Sequence, residues 1–328
     1  MKVGFIGERY NKISFSMLRE LTTCPKISVV WFIDSEPSKI LKDKLYGKTP
    51  SYGYLRDLLF DSHHQVKSLF STIDCKEYCS KNNIRYIIPK GRSINDGLPN
   101  TMYSNPEVDY VLIAGCDQIL DSHGLQIAKN AIINYHPSPL PAYRGKNVVF
   151  WQWFNKEPYI GYTFHKVDLG VDTGEIVFQG CVEYNPDNLH LGEIVNEVIM
   201  ESSKNLCNTF KLLGNDEKNI LRVHKESSFY PSKLYLDLIT VNNNKTVEEV
   251  KDLFKHIGFI RLENGLYIQK NLSSNPTVID RYSMDWGGIY IPLSNGHIVG
   301  SPSTRFPFWI FRLILGERLI HGLQENQT

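Results

Sequence analysis

Two observations predict an α/β fold. Over residues 1–215, short β-branched runs alternate with segments whose apolar residues recur at helical spacing. That β-then-helix rhythm implies a Rossmann-like, mostly parallel sheet with helices on both faces. After residue 232 the pattern changes to hairpin signatures, which predict a smaller β-rich C-terminal domain. The expected organisation is a catalytic domain over 1–215, a linker over 216–231, and a small domain with an apolar tail over 232–328.

Lys2 to Ile6 reads as the first strand. Asn11 can cap a helix whose apolar positions Ile13, Met17, Leu18 and Leu21 share one face. Ile27 to Ile33 is a second strand, ended by Asp34. Residues 36–70 exceed an ordinary connection and predict two helical pieces. A helix over Asp74 to Lys81 precedes strands at Ile84 to Ile88, Tyr110 to Ala114 and Ala131 to Tyr135. Thr163 to Val167 and Glu175 to Phe178 read as two more strands. One long helix is expected over Leu191 to Leu213, with Ile194, Val198, Leu206, Phe210 and Leu213 turned inward. In the second unit, Thr246-Val-Glu-Glu249 matches a capping box, and Asn264-Gly265 and Asn295-Gly296 mark hairpins.

A net charge of +1 supplies no global basic field, which argues against nucleic acid as a partner. The first residues form a strand rather than a signal peptide, and no run approaches the ~20 apolar residues of a membrane span. Six scattered cysteines predict a reducing cytoplasm, with no disulfides and no structural zinc. Phe306 to Leu315 is the most apolar segment. It is expected to bury its aromatics in the C-terminal unit or in a homodimer interface.

The chemistry concentrates in two pieces. Asn134-Tyr-His-Pro-Ser-Pro-Leu-Pro-Ala-Tyr-Arg-Gly145 joins a strand end to a Pro-rich loop. Asn134 and His136 are two apart, so their side chains share one side of the strand. Gly145 permits a close or left-handed backbone pass. Downstream, Asp168-Leu-Gly-Val-Asp-Thr-Gly174 is an acidic, Gly-rich loop. Alone, Asn134 reads as a strand cap, His136 as a satisfied loop histidine and Asp172 as a turn residue. Together they place an amide, an imidazole and a carboxylate near one pocket, a set that suits amine attack on a carbonyl carbon. Desolvation is expected to raise the Asp172 pKa toward the range useful for proton transfer. Gly-x-Gly-x-x-Gly does not follow the first strand, which argues against a nicotinamide cofactor.

Asn-x-His-x-Ser with Leu-Pro-x-x-x-Gly, followed by Asp-x-Gly-x-Asp-Thr-Gly, resembles the N10-formyltetrahydrofolate-dependent formyltransferases, most closely the nucleotide-sugar N-formyltransferases. The resemblance implies a catalytic trio of Asn134, His136 and Asp172, no metal, and N10-formyltetrahydrofolate as formyl donor. It places the folate along Gly115, Cys116, Asp117, Gln118, Ile119 and Leu120, and along Val167 and Asp168. Asp117 and Gln118 could alternatively begin a helix. For the acceptor, Arg9 and Lys90 follow the first and third strands and could reach a pyrophosphate at the sheet edge, with Ser93 and Asn95 beside Lys90; the family's phosphate-binding turn has small residues where this chain has Arg9 and Tyr10. Ser138, Tyr143 and Arg144 would shape the pocket, and Trp153 would stack on a base or sugar. The preferred acceptor is a dTDP- or UDP-linked 4-amino-4,6-dideoxy sugar. Methionyl-tRNA, another small amine, and water (a hydrolase) stay open, as does a non-catalytic folate-binding protein.

Overall fold

The computed structural model describes residues 1–35, 73–184, 191–220, 226–242, 244–257, 260–262, 267–277, 279, 283–284 and 289–302. The helical pieces expected over 36–70, the Asn264-Gly265 turn and the tail at Phe306 to Leu315 lie outside these residues. The described residues divide into two compact units, one ending at Pro231 and the other beginning at Ser232.

The first unit runs β1 (Lys2–Gly7), α1 (Lys12–Thr23), β2 (Ser28–Asp34), α2 (Cys75–Lys81), β3 (Arg85–Ile87), α3 (Asn100–Ser104), β4 (Tyr110–Ile113) and β5 (Ala131–His136). It continues through β6 (Arg144–Gly145), α4 (Val148–Phe154), β7 (Tyr159–Lys166), β8 (Ile176–Glu183), α5 (Leu191–Lys204), α6 (Leu206–Asn215) and β9 (Phe229–Tyr230). The main sheet has seven strands in the order β3-β2-β1-β4-β5-β7-β8. β1 to β5 pair in parallel, while β7 is antiparallel to β5 and β8 antiparallel to β7.

Period-two alternation divides the strand side chains between two faces. Val3, Phe5, Phe32, Leu112 and Ile133 join one buried cluster, to which α1, α5 and α6 contribute Met17, Leu18, Leu21, Ile194, Val198 and Phe210. Ile6, Trp31, Ile33, Val111, Ile113 and Ile132 join the other, with Ile94, Leu98 and Tyr103. Phe5, Phe32 and Tyr86 stack across three adjacent strands at 5.3 and 5.4 Å. Burying each large apolar side chain contributes about 1.5–3 kcal/mol, so these two faces hold the sheet.

α1 begins as its sequence predicts: the Asn11 side chain accepts from the N–H groups of Ile13 and Ser14. The helix expected over Leu191 to Leu213 is instead two helices. They break at Asn205 (φ −87°, ψ 0°), whose amide donates to Glu201 O and to the Tyr162 hydroxyl. An Asn amide competes for main-chain groups, and periodicity does not register that competition. The expectation of no disulfides is also corrected. Cys24, at the end of α1, is bonded to Cys207 in the first turn of α6, across 183 residues of sequence that no spacing rule spans.

The second unit contains α7 (Ser232–Ile239), β10 (Thr240–Val241), α8 (Val247–Ile257), β11 (Ile260–Leu262), β12 (Tyr267–Asn275), β13 (Ser283–Met284), β14 (Ile289–Leu293) and β15 (Gly296–Pro302). Its six-stranded sheet has the order β10-β11-β12-β15-β14-β13. Thr246 and Glu249 form the reciprocal capping box: Glu249 N–H donates to Thr246 Oγ1 at 3.2 Å and Thr246 N–H to the Glu249 carboxylate at 2.8 Å. β14 and β15 form the hairpin, with Leu293 opposite Gly296. No helix among the described residues is long and apolar enough to cross a membrane.

Candidate active site

β5 and β7 build the site. Their antiparallel register sets Asn134 opposite His165 and His136 opposite Thr163. The loop after β7 then brings Asp172 back over this pair. Asp172 Oδ1 lies 3.5 Å from Asn134 Nδ2, 3.6 Å from His136 Nδ1 and 3.6 Å from His165 Nε2. Its Oδ2 accepts from the Gly145 N–H at 2.9 Å. Asn134 Nδ2 also lies 3.1 Å from His165 Nε2.

Each imidazole is pinned by a main-chain carbonyl, which can only accept, and this sets the tautomer. His136 Nε2–H donates to Tyr143 O at 2.8 Å, so its Nδ1 faces Asp172. His165 Nδ1–H donates to Lys166 O at 2.9 Å, so its Nε2 faces Asp172 and Asn134. His136 is 5% exposed, and burial pushes its pKa below the ordinary 6.5 against the pull of Asp172, so it rests neutral.

The expected rise in the Asp172 pKa is corrected by the structure. Burial is the largest single influence and does push it up. The His165 and His136 rings, through a proton on the nitrogens that face Asp172 in acid, and the Gly145 N–H outweigh it and hold the carboxyl below 3.8. Asp172 is therefore ionised at neutral pH.

Asp168 has a different job: its Oδ1 accepts from Gly170 N–H and from the Thr173 hydroxyl, shaping its own loop. Asn134, His136 and Asp172 come together. His165 joins them as a fourth group, although its sequence context marks it only as a strand residue. Its signal was available: Thr163 and His165 alternate on β7 as Asn134 and His136 do on β5.

The residues expected to contact folate line two neighbouring loops. Gly115 turns with φ +71°, where an added Cβ would meet the Asn11 and Ser14 side chains at 2.7–2.8 Å. No helix starts at Asp117 or Gln118. Gln118 ties three segments, accepting from Ile94 N–H and donating to Ser35 O. The half-buried Cys116 Sγ accepts from Gln118 N–H, Asp117 pairs with Lys146 at 2.7 Å, and Leu120 is buried. Val167 N–H donates to Ile132 O. Ile119, Leu169 and Val171 are exposed by 66, 69 and 39%, so the two loops carry apolar side chains at their rims.

The residues expected to contact the acceptor scatter. Arg9 makes a two-pronged contact with Asp74, Nε to Oδ1 at 2.9 Å and Nη2 to Oδ2 at 2.6 Å. Lys90 is exposed on a 3-10 turn. Ser93 accepts from Asn95 N–H, and Asn95 clasps the neighbouring loop through Ile119 O and Asp121 N–H. Ser138 is buried and donates to Ala142 O. Tyr143 (φ +59°) and Arg144 lie on the loop that leads to Gly145. Trp153 packs against the helix-covered core cluster. Among the described residues, no group of three or more His, Cys, Asp or Glu is placed to hold a metal ion.

This arrangement of an amide, a neutral imidazole and an ionised carboxylate at the edge of a mostly parallel sheet coincides with a family match. The family model described as "Formyl transferase" covers residues 81–209, which include every member of the trio. The chain carries a formyl transferase domain. It is a formyl-transferring enzyme. The chain is 26% identical over 265 residues to a methionyl-tRNA formyltransferase of Clostridium tetani, covering 76% of this chain and 84% of that one. Two solved structures share the fold of the formyl transferase domain and extend beyond it. An N-formyltransferase from Helicobacter canadensis, in complex with folinic acid and dTDP-3-aminofucose, matches with a TM-score of 0.52 at 17% identity, covering 92% of this chain and 99% of that chain. A 4-N formyltransferase from Francisella tularensis matches with a TM-score of 0.53 at 15% identity, covering 92% and 97%.

Proposed function

We propose that this enzyme transfers a formyl group from N10-formyltetrahydrofolate to the amine of a dTDP- or UDP-linked 4-amino-4,6-dideoxy sugar. The observation that carries the transfer chemistry is the convergence of Asn134, His136 and His165 on one oxygen of Asp172. The formyl donor fits the loops at 115–120 and 167–172. Their exposed apolar side chains suit a flat aromatic ring, and their main chain supplies hydrogen-bonding groups.

In this reading Asp172, ionised and within reach of a neutral amine, accepts the amine proton. His136 Nδ1 faces the same carboxylate oxygen and can take that proton on. The resulting imidazolium would stabilise negative charge developing on the formyl oxygen, with Asn134 Nδ2–H as the second donor. As the tetrahedral adduct collapses, the bond from the formyl carbon to the folate N10 breaks, and the proton returns through Asp172 to the departing nitrogen. The Tyr143 carbonyl holds His136 in the tautomer that leaves Nδ1 free to receive the proton.

The sugar acceptor is supported by fold neighbours whose likeness extends over 92% of the chain, one of them in complex with dTDP-3-aminofucose. Arg9 and Lys90 are assigned to the pyrophosphate, Arg9 by exchanging its bond to Asp74 for one to phosphate. Methionyl-tRNA is the second reading, favoured by the 26% identity to the Clostridium tetani enzyme. Incubation with N10-formyltetrahydrofolate and separate panels of amino-sugar nucleotides and charged initiator tRNA, followed by mass measurement of the products, decides between them. A formylated sugar nucleotide is expected. Formyl-methionyl-tRNA with every sugar unchanged would replace this acceptor with the tRNA, and folate release without any formylated amine would identify a hydrolase.

A further inference from the structure

Residues 226–231 leave the helical part of the first unit and return across the loop that carries the catalytic anchors. Phe229–Tyr230 pairs in parallel with Arg144–Gly145 as a separate two-stranded sheet. Arg144 N–H donates to Ser228 O at 2.9 Å and Lys146 N–H to Tyr230 O at 2.9 Å. Tyr143 N–H donates to the Ser228 hydroxyl at 2.8 Å. The Tyr230 ring lies between Tyr143 (5.2 Å, 8°) and Trp151 (4.9 Å, 27°). The Asn155 amide donates to both tyrosine hydroxyls, at 3.0 and 3.1 Å.

The clamped loop holds the reacting side chains by its main chain alone. Tyr143 O fixes His136, and Gly145 N–H fixes Asp172. Both anchors have positive φ, +59° at Tyr143 and +102° at Gly145; glycine adopts this freely, whereas the tyrosine does so at a cost that the contacts around it must offset. The strap passes so close that a Cβ at 145 would lie 2.4 Å from Tyr230 O. The glycine is therefore matched to the strap as well as to its own dihedral angle.

We infer that residues 226–231 are an active-site strap, and that Ser228 and Tyr230 are positioning residues that set the alignment of His136 and Asp172 through the main chain of residues 143–145. This rests on the reading of Asn134, His136 and Asp172 as the reacting groups. The strap touches no reacting atom, so its loss should lower kcat and leave substrate binding nearly unchanged.

The test compares Tyr230→Ala, Ser228→Ala and Tyr230→Phe in the full chain, with Asp172→Asn as reference. Two readouts are taken: kcat and KM for formyl transfer, and the NMR titration of the His136 ring without substrate, assigned by its loss in His136→Asn. Tyr230→Ala is expected to lower kcat by about 10-fold or more, the scale of small misplacements in catalytic geometry. KM should stay within about threefold, and the His136 midpoint should rise toward its ordinary value as water reaches the ring. Tyr230→Phe keeps the ring stack and should behave like the parent in both readouts. If Tyr230→Ala fails to fold, Ser228→Ala removes a single hydroxyl acceptor and is judged by the same criteria.

Unchanged kcat together with an unmoved His136 titration overturns the strap, and so does a rise in KM alone. If Asp172→Asn keeps full turnover, the site reading falls instead. The His136 titration then judges the strap by itself, a shift supporting it and no shift overturning it.

Discussion

Two corners of the same sheet edge are built on opposite plans. At the β1–β3 corner, polar groups meet partners at full hydrogen-bonding distance. Arg9 grips Asp74, the Tyr86 hydroxyl donates to Asp34 at 2.5 Å, and the Asn11 amide donates to Glu8 at 3.1 Å. At the β5–β7 corner, three side-chain nitrogens stand 3.5–3.6 Å from one carboxylate oxygen, while the far nitrogens of the two imidazoles are tied to main-chain carbonyls. A saturated network rigidifies a scaffold. Groups pinned from behind, with their facing ends loosely spaced, are arranged to exchange a proton, and such contacts tighten only when substrate arrives.

Removing members of the loose corner should break this contrast most severely. Asn134→Ala, His136→Ala and Asp172→Ala are each expected to cut turnover by about 100-fold or more with the fold retained, as circular dichroism and steady-state kinetics would show. Asp172→Asn should match Asp172→Ala if the carboxylate is the proton acceptor. Turnover near the parent's would reduce Asp172 to a loop-shaping residue. Next in size is His165→Ala. It leaves the trio intact but removes a neighbour of both Asn134 and Asp172, and a loss of about 10-fold in kcat is expected. An unchanged kcat would make His165 part of the scaffold after all.

Acid should sharpen the contrast through stability. His136 is buried neutral, so below about pH 6.5 the unfolded chain binds a proton that the native state resists, and stability falls as pH falls through that value. Asp172, held below 3.8, adds a second loss as the pH drops past its ordinary value toward its native one. Thermal melts from pH 8 to pH 3 should show both declines in the parent, and His136→Asn should lack the first. The smallest effect is expected at the saturated corner. Arg9 is 34% exposed in its ion pair, so Arg9→Ala should cost no more than about 1 kcal/mol of stability. If Arg9 reaches a pyrophosphate, KM for the sugar nucleotide should rise with kcat preserved. If neither moves, Arg9 serves only to hold α2.

The local physics of the chain made much of this legible. Alternation in Val3, Phe5 and Ile6 marked a strand with two buried faces, and Asn11 and Thr246 announced their helices because a cap is a short-range event. Asn134 and His136 were readable as a pair because two residues of strand return to the same side. What depended on distant chain was hidden. Cys24 meets Cys207 only because α1 packs beside α6. His165 meets Asn134 only through the register of β5 with β7. The direction of the Asp172 shift turned on three neighbours that no spacing in the acidic loop reveals. Residues 226–231 looked like a linker because their polar, irregular composition shows nothing of the strand they complete.

The backbone at Asp172 has φ +53°, a region that Gly, Asn and Asp enter readily and other residues enter at a cost of roughly 1–2 kcal/mol. The proposed reaction asks for a carboxylate here, which only Asp and Glu supply. The two sets share a single member. Glutamate, the usual conservative exchange, would keep the charge but must adopt the disfavoured dihedral with a longer arm. Asparagine would keep the dihedral and lose the base. Drift at this position therefore has no neutral neighbour: each route away from aspartate fails on the fold or on the reaction, and a viable replacement requires the loop itself to be rebuilt.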